Sequence, residues 1–403
     1  MKPISGTNLD QAKSHNRRVV IEAIRTNGPL SRAAIARLTA LTTQTVSNIV
    51  EELEVAMLLT ADAPKKIPRG QPIRPYSINP DGAYSIGLEL ERDLAVGVLT
   101  DLAGRVRARV ERAVERPTPA EAMPVLAEIV LELQQAFPLD RARLLGAGIA
   151  MPGRYATEGV TLLSPVTLPG WQDFPVAGKL ADRLGMPVLV ENDAAAATIG
   201  ERLYGVGRGL TSFVYLFLGG GIGAGLFLDG QLYKGSRSNA GEIGHMIAVS
   251  NGLPCVWGKR GCLDRYVSLG AAYDYLNITA HGQAWTRSPD IVAGLSQDRI
   301  DAWAETAAEA MRQTIDVLEL AFDPQTIVLG GSMPTRLLEA LARRLEPLHR
   351  PVDPGQERGL PRIMTGAIGR DTALLGAAAL PIFSETNPQF DVLQKPLRQK
   401  PQE

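Results

Sequence analysis

The sequence predicts an α/β protein: a small N-terminal winged helix-turn-helix module followed by a larger, two-lobed body. Three observations carry that expectation. Residues 16–59 show apolar stripes at helical spacing, with capping residues ahead of them. The segment 61–82 holds Pro64, Pro68, Pro72, Pro75 and Pro80, a density that no helix survives. From Tyr84 onward, strands and helices alternate in two successive series.

In the first helix Val19, Val20, Ala23 and Ile24 form the apolar face, and Gly28-Pro29 ends it. Ser31 is a good N-cap for a second helix over Arg32–Leu38, with Ile35 and Leu38 inward. Thr39-Ala40-Leu41-Thr42 makes a four-residue turn, and Thr42 caps a third helix striped by Val46, Ile49, Val50 and Leu53. A short helix, a tight turn and a helix with a small polar N-terminal face make a helix-turn-helix. Ile73–Ile78 can form a short edge strand within the proline-rich segment, beside Lys65, Lys66, Arg69 and Arg74. The expected organisation is a helix-turn-helix over 1–60, wing and linker over 61–82, the body over 83–383 and a polar tail over 384–403.

In the body, Ser85–Leu90 and Leu94–Asp101 read as paired strands, Pro119–Phe137 as a helix and Leu145–Met151 as a buried strand. Val188–Val190 is a strand running into Glu191-Asn192-Asp193, and Ala194–Ala197 opens a helix. Phe213–Leu218 is a strand and Gly219–Gly225 a glycine loop, while Asp229-Gly230 turns a hairpin between Leu226–Leu228 and Gln231–Tyr233. Ala302–Ala321, Leu337–Leu348 and the small-residue run Asp371–Leu380 are helices, and Thr326–Leu329 is a strand.

Composition is that of an ordinary globular protein, 45% apolar and 21% charged. No apolar run reaches the roughly 18–20 residues that span a bilayer, and Met1–Asn8 has no apolar signal core. Two cysteines cannot build a disulfide framework, so a cytoplasmic location with no membrane partner is expected. The net charge of -1 hides an asymmetry: residues 1–80 hold 11 Lys and Arg against 6 Asp and Glu. A basic first segment on an acidic body points to a polyanionic partner for that segment.

The chemistry concentrates in Asn239-Ala-Gly-Glu-Ile-Gly-His245, Cys255 and Gly261-Cys262-Leu263-Asp264. Carboxylates and an imidazole suit a polyol, because each hydroxyl both donates and accepts a hydrogen bond. The same span, which contains both cysteines of the chain, offers a metal His245, Cys255 and Cys262. Read alone, Glu242 and His245 can equally be structural groups at a helix end.

Together, Ser31-Arg32-Ala33-Ala34-Ile35-Ala36, Gly148-Ile149-Ala150-Met151-Pro152-Gly153, Leu168-Pro169-Gly170-Trp171, Glu191-Asn192-Asp193-Ala194, Ala240-Gly241-Glu242-Ile243-Gly244-His245 and Gly261-Cys262-Leu263-Asp264 resemble the ROK family. That family groups repressors, open reading frames and sugar kinases, and the likeness is to its N-acetylglucosamine- and xylose-type repressors. It runs from about Asn16 to Leu380. The resemblance implies an actin-like (ribonuclease-H-like) sugar-kinase body and assembly into dimers or tetramers. It assigns sugar contact to Asn192, Asp193, Glu242, His245 and Asp264, with Asp193 at the position of the kinases' catalytic base. Two departures bear on which sugar fits: Thr167 stands where Asn is common, and Asp264 replaces a Glu.

The kinases of the family hold ATP phosphates in an Asp-x-Gly-Gly-Thr turn. Here that turn reads Glu89-Leu90-Glu91-Arg92-Asp93, with both glycines gone and two added carboxylates. Gly219–Gly225 matches the second phosphate loop, with Gly220 at a usual Thr, and Leu329-Gly330-Gly331-Ser332 matches the adenosine segment. ATP-dependent phosphorylation is therefore not expected. The family's zinc site is one His and three Cys, and Trp257 takes the middle cysteine's place. A zinc-free loop with the indole in the metal's volume is expected over a three-ligand site.

The third helix of the module is expected in the major groove, reading bases with Thr43, Gln44, Ser47 and Asn48. Arg32 is placed for a phosphate, and Arg69-Gly70-Gln71 resembles the family's Gly-Arg-Pro wing. The resulting expectation is a sugar-responsive regulator, a repressor, binding operator DNA as a homo-oligomer. The alternatives are a sugar kinase with a fused DNA-binding domain, or a repressor controlled by a protein partner.

Overall fold

The computed structural model describes residues 9–64, 72–156, 159–161, 168–278, 292–352 and 359–388. The chain divides into two compact units: Met1–Ala83 with Asp101–Ala103 and Ile382–Glu403, and Tyr84–Thr100 with Gly104–Pro381.

The first unit opens with α1 (Leu9–Asn27), α2 (Arg32–Thr39) and α3 (Thr43–Val55). The two expected caps are formed: Ser31 Oγ accepts from the Ala34 N–H at 3.2 Å, and Thr42 Oγ1 from the Thr45 N–H at 3.1 Å. Each cap satisfies a helix-end donor and contributes about 1 kcal/mol. Ala40 ends α2 with φ 55°, which swings the chain into the turn. Three short strands complete the unit, β1 (Leu30–Ser31), β2 (Leu59–Ala61) and β3 (Pro75–Ile78), ordered β1-β3-β2 and antiparallel. The expected edge strand is thus the central one, and Pro75 sits at its first residue, where a missing N–H is tolerated. Val20, Ile24, Ile35, Val46, Val50, Leu53 and Tyr76 close the core of this unit.

The second unit contains two five-stranded sheets built on one plan. The first runs β10-β7-β4-β5-β6, from β4 (Tyr84–Leu90), β5 (Leu94–Asp101), β6 (Val106–Ala113), β7 (Leu144–Met151) and β10 (Val188–Asn192). The second runs β13-β12-β11-β14-β15, from β11 (Phe213–Leu218), β12 (Ile222–Leu228), β13 (Gln231–Tyr233), β14 (Ile327–Gly330) and β15 (Ile363–Thr365). In each, three sequential strands lie side by side, and two later strands add in parallel beside the first of them. That repeated order is the actin-like arrangement. A small pair, β8 (Arg154–Ala156) and β9 (Gly159–Thr161), stands apart. Among the described residues, no helix is long and apolar enough to cross a membrane.

Helices α4 (Pro119–Ala136) and α5 (Val176–Leu184) cover the first sheet. α7 (Asp264–Val267), α8 (Leu269–Leu276), α9 (Gln297–Phe322) and α10 (Thr335–Arg344) cover the second. α6 (Asp193–Tyr204) touches β7 and β10 of one sheet and β11 to β13 of the other. The last helix, α11 (Thr372–Thr386), explains the small-residue run near the C-terminus. A Cβ on Gly148 would lie 2.0 Å from the Ala377 carbonyl oxygen, and one on Gly376 would lie 1.9 Å from that of Ala196. α11 therefore lies backbone-close to β7 and α6, which only small side chains permit.

Candidate functional site

The site grows from the carboxyl end of β10. Asn192 caps α6, its Oδ1 accepting from the Ala195 N–H at 2.6 Å. Asp193 is the first helical residue, and its Oδ1 accepts from the Ala194 N–H at 2.8 Å. Helix N-terminal amides favour a charged carboxylate, but here burial wins. It pushes Asp193 up to about 7, aided by the neighbouring Glu91 and Glu242 carboxylates and opposed by the Ala194 N–H.

Glu242 and His245 reach the same place through a loop pressed onto β12. Gly241 has φ 91°, and a Cβ there would stand 1.8 Å from the Ala224 carbonyl oxygen. A Cβ on Gly244 would stand 2.4 Å from that of Ile222. These two contacts account for the Gly-Glu-Ile-Gly-His pattern, and they bring His245 Nε2 to 3.8 Å from Glu242 Oε2. Asp264 begins α7 and accepts from the Ile222 N–H at 3.1 Å. Burial raises its carboxyl, while that N–H and the nearby His245 lower it. The structure so brings Asp193, Glu242, His245 and Asp264 together, with Asn192 adjoining in the chain. Asn192 also lines a small depression with Glu191, Tyr233, Lys234 and Ser238, where Lys234 is ion-paired to Glu191. Thr167 lies outside the described residues.

Trp171 of the Leu-Pro-Gly-Trp motif is fully buried in the core of the first sheet and donates to the Pro117 carbonyl at 2.8 Å, which anchors that motif to the chain ahead of α4.

The glycine-rich segments differ from expectation. Only Gly219–Gly221 forms a turn, closed by the Gly219 N–H to the Gly221 carbonyl at 2.9 Å, and Gly223 and Gly225 lie inside β12. A Cβ on Gly225 would fall 1.7 Å from Thr198 Oγ1, so that glycine admits α6 rather than cradling a ligand. Gly330 likewise makes room for the Tyr215 hydroxyl, 2.1 Å from its would-be Cβ.

The β4–β5 turn is closed by the Glu91 N–H to the Leu94 carbonyl at 2.8 Å. Arg92 is exposed, Asp93 is buried, and one oxygen of Glu91, Oε2, is buried with no hydrogen-bond partner among the described residues. The approach of Glu91 to Asp193 was not foreseen, because 102 positions separate them and no local pattern joins them.

His245, Cys255 and Cys262 converge, their ligand atoms all within 4.8 Å of one another. His245 Nδ1 faces Cys255 Sγ at 3.9 Å, opposite the nitrogen that faces Glu242. Burial and the adjacent Cys255 raise the Cys262 thiol. The three donors fit three corners of a tetrahedral zinc, with the fourth corner open; among the described residues no fourth His, Cys, Asp or Glu joins them. Trp257 does not fill the metal's volume as expected: its ring lies edge-on to His245 at 5.9 Å and is 45% exposed.

In the first unit, Thr43, Gln44 and Asn48 are exposed on α3 and Ser47 is half-buried. Gln44 Nε2 donates to Asn48 Oδ1 at 2.9 Å, joining the two amides on one helix face. Arg32 lies 5.3 Å over the Tyr76 ring and 3.7 Å from Glu54, so it ties α2 to β3 and α3. Arg69, Gly70 and Gln71 lie outside the described residues.

The profile of the ROK family matches residues 85–382. The chain is 29% identical over 258 residues to the xylose repressor of Bacillus subtilis (strain 168), a match covering 64% of this chain and 66% of that one. It is 30% identical over 284 residues to the glucokinase of Thermotoga maritima, covering 63% and 83%. A solved ROK family transcriptional regulator, a homolog of the E. coli MLC protein, superposes with TM-score 0.70 at 24% identity, over 95% of this chain and all of that one.

Proposed function

The chain belongs to the ROK family, and from that membership we propose that it is a sugar-responsive transcriptional regulator, a repressor, that no longer turns over ATP. The observation that carries this reading is the pairing of a hydroxyl-binding cluster with an altered phosphate turn. Asp193, Glu242, His245 and Asp264 offer acceptors and an imidazole to a polyol. Glu91 and Asp93 stand in the turn where a kinase of this family presents glycine amides to phosphates.

DNA contact falls to α3, through Thr43, Gln44, Ser47 and Asn48. Arg32, held against Tyr76 and Glu54, shapes the module, and a phosphate contact is assigned to it beside α3. Arg69, Gly70 and Gln71 form the wing contact. A homo-oligomer places two such modules on a two-fold operator. Sugar held by this cluster weakens operator binding by favouring a conformation in which the modules are misplaced, which requires that the sugar bind that conformation better.

The test is an operator-binding titration on the DNA flanking the protein's own gene, with D-xylose, D-glucose and N-acetyl-D-glucosamine added in turn. A shift in operator affinity with one of them supports the reading, and no shift across a wider sugar panel removes it. The glucokinase likeness favours a second reading, a sugar kinase with a DNA-binding module. Sugar-dependent ADP formation by the purified chain would establish it.

A further inference from the structure

Cys255 and Cys262 are brought together by the backbone alone. Pro254 and Arg260 form a bridge, the Cys255 N–H donates to the Lys259 carbonyl at 2.8 Å, and the Gly258 N–H donates to the Cys255 carbonyl at 3.0 Å. That hairpin sets Cys255. Cys262 is set from the other side, where it bridges Ile247. Next to it Gly261, at φ 81°, packs so closely that a Cβ would stand 1.6 Å from the Val249 carbonyl oxygen. The two sulfurs lie within 4.8 Å of each other. A disulfide needs them at about 2.05 Å, so closing the pair takes a shift of under about 3 Å, shared between two side chains. The two thiols differ in access. Cys262 is fully buried, whereas Cys255 is 9% exposed and precedes the outward-facing Val256 and Trp257. A small oxidant therefore meets Cys255 first. Four protein ligands would close a zinc and shield its sulfurs, but three leave a corner through which a small molecule reaches them.

We propose that Cys255 and Cys262 are a thiol switch, which a hydroperoxide closes to a disulfide and a dithiol reopens. In the first step the peroxide O–O bond breaks, Cys255 becomes a sulfenic acid, and its proton leaves on the other peroxide oxygen. The Cys262 sulfur then attacks the Cys255 sulfur: the S–S bond forms, the S–O bond breaks, and the hydroxyl leaves as water with the Cys262 proton. Two thiols are oxidised and one peroxide is reduced. The bridge consumes two of the three metal donors, so it and a zinc exclude each other. It also reaches the candidate sugar site. His245 faces Cys255 Sγ through Nδ1 at 3.9 Å and accepts from Cys262 Sγ through its carbonyl at 3.8 Å, while Nε2 faces Glu242. Drawing the sulfurs together removes both supports from His245. Resting on the sugar-site reading, the closed switch therefore weakens sugar binding.

Lys259 and Arg260 lie between the cysteines, so trypsin places the two on separate peptides. The full chain, as purified and after EDTA, is treated with a few equivalents of hydrogen peroxide, alkylated with iodoacetamide and digested. The two peptides should appear joined within one chain, and dithiothreitol should separate them. Cys262→Ser should stop at a sulfenic acid on Cys255, captured by dimedone, and Cys255→Ser should leave Cys262 unoxidised. Thiols that survive peroxide, sulfinic acid without a bridge, or a bridge between two chains overturns the proposal. Zinc bound beforehand should leave as the bridge forms, and zinc retained by the bridged chain also overturns it. In calorimetry with D-xylose, D-glucose and N-acetyl-D-glucosamine, the bridged chain should bind about tenfold more weakly than the reduced one. Equal affinity of the two forms overturns the link through His245. Binding of no sugar by the reduced chain removes the sugar-site reading, while the bridge, read from peptides, stands or falls separately.

Discussion

Replacing Asp193 with Asn should make the protein more stable, and by an amount that depends on pH. The carboxyl is held at about 7 in the fold, against an ordinary 3.8. Between those values the folded chain keeps the proton and the unfolded chain has lost it. Stability from this group therefore falls as pH rises from about 4 to 7, and is level above. The shift of about three units sets a ceiling of about 4 kcal/mol. Asp193 is only half-buried, and solvent screening brings the expectation to about 2 kcal/mol. Asn keeps the oxygen that accepts from the Ala194 N–H, so the α6 start is preserved. Urea unfolding of the two proteins at about pH 5 and about pH 8 should show the advantage of Asp193→Asn growing toward the higher pH. Parallel stability curves across that range would refute the argument that burial and the neighbours Glu91 and Glu242 hold this carboxyl protonated.

Other substitutions probe the remaining parts. Gly241→Ala must adopt φ 91° and push Cβ into the Ala224 carbonyl, costing about 3 kcal/mol; thermal unfolding should show the loss, and sugar binding should fail with the displacement of Glu242 and His245. Purified protein should carry about one zinc per chain, released by EDTA and absent from Cys255→Ser and Cys262→Ser, and elemental analysis finding well under half an equivalent before chelation refutes a three-donor site. Gln44→Ala should lose about 1–3 kcal/mol of discrimination at one base pair, and selection from a random duplex library should show an adenine preference relaxed at that position. Arg32→Lys keeps the charge and loses the fit over Tyr76, so it should lower the unfolding midpoint of the DNA-binding unit more than it changes the salt slope of DNA binding.

What could be read in advance was what one stretch of chain decides alone. Ser31 and Thr42 announce helix starts because a cap bonds to an amide three residues away. The Asp229-Gly230 hairpin was legible for the same reason, with both residues at positive φ in the structure. β3 was misplaced at an edge because its neighbours are strands of two and three residues, too short to show alternation. The glycines of β12 carry a different lesson. Glycine reports only that something comes close. Whether that is a phosphate or the α6 helix depends on a partner far along the chain, here Thr198.

The same limit explains the candidate site. Asp193, Glu242, His245 and Asp264 were identifiable because each sits in a short motif whose backbone shape is set locally. Glu91 was legible as a lost glycine and as an added carboxylate in the phosphate turn. Its second consequence, a carboxylate brought up to Asp193, exists only once β4 and β10 flank β7 in one sheet. A kinase needs that space open for phosphate oxygens, and needs Asp193 ionised to take a proton. The substitution works against both requirements at once, since it adds negative charge and disfavours the ionised base. On the proposed reading, the altered turn and the kept cluster of Asp193, Glu242, His245 and Asp264 together favour binding over phosphoryl transfer.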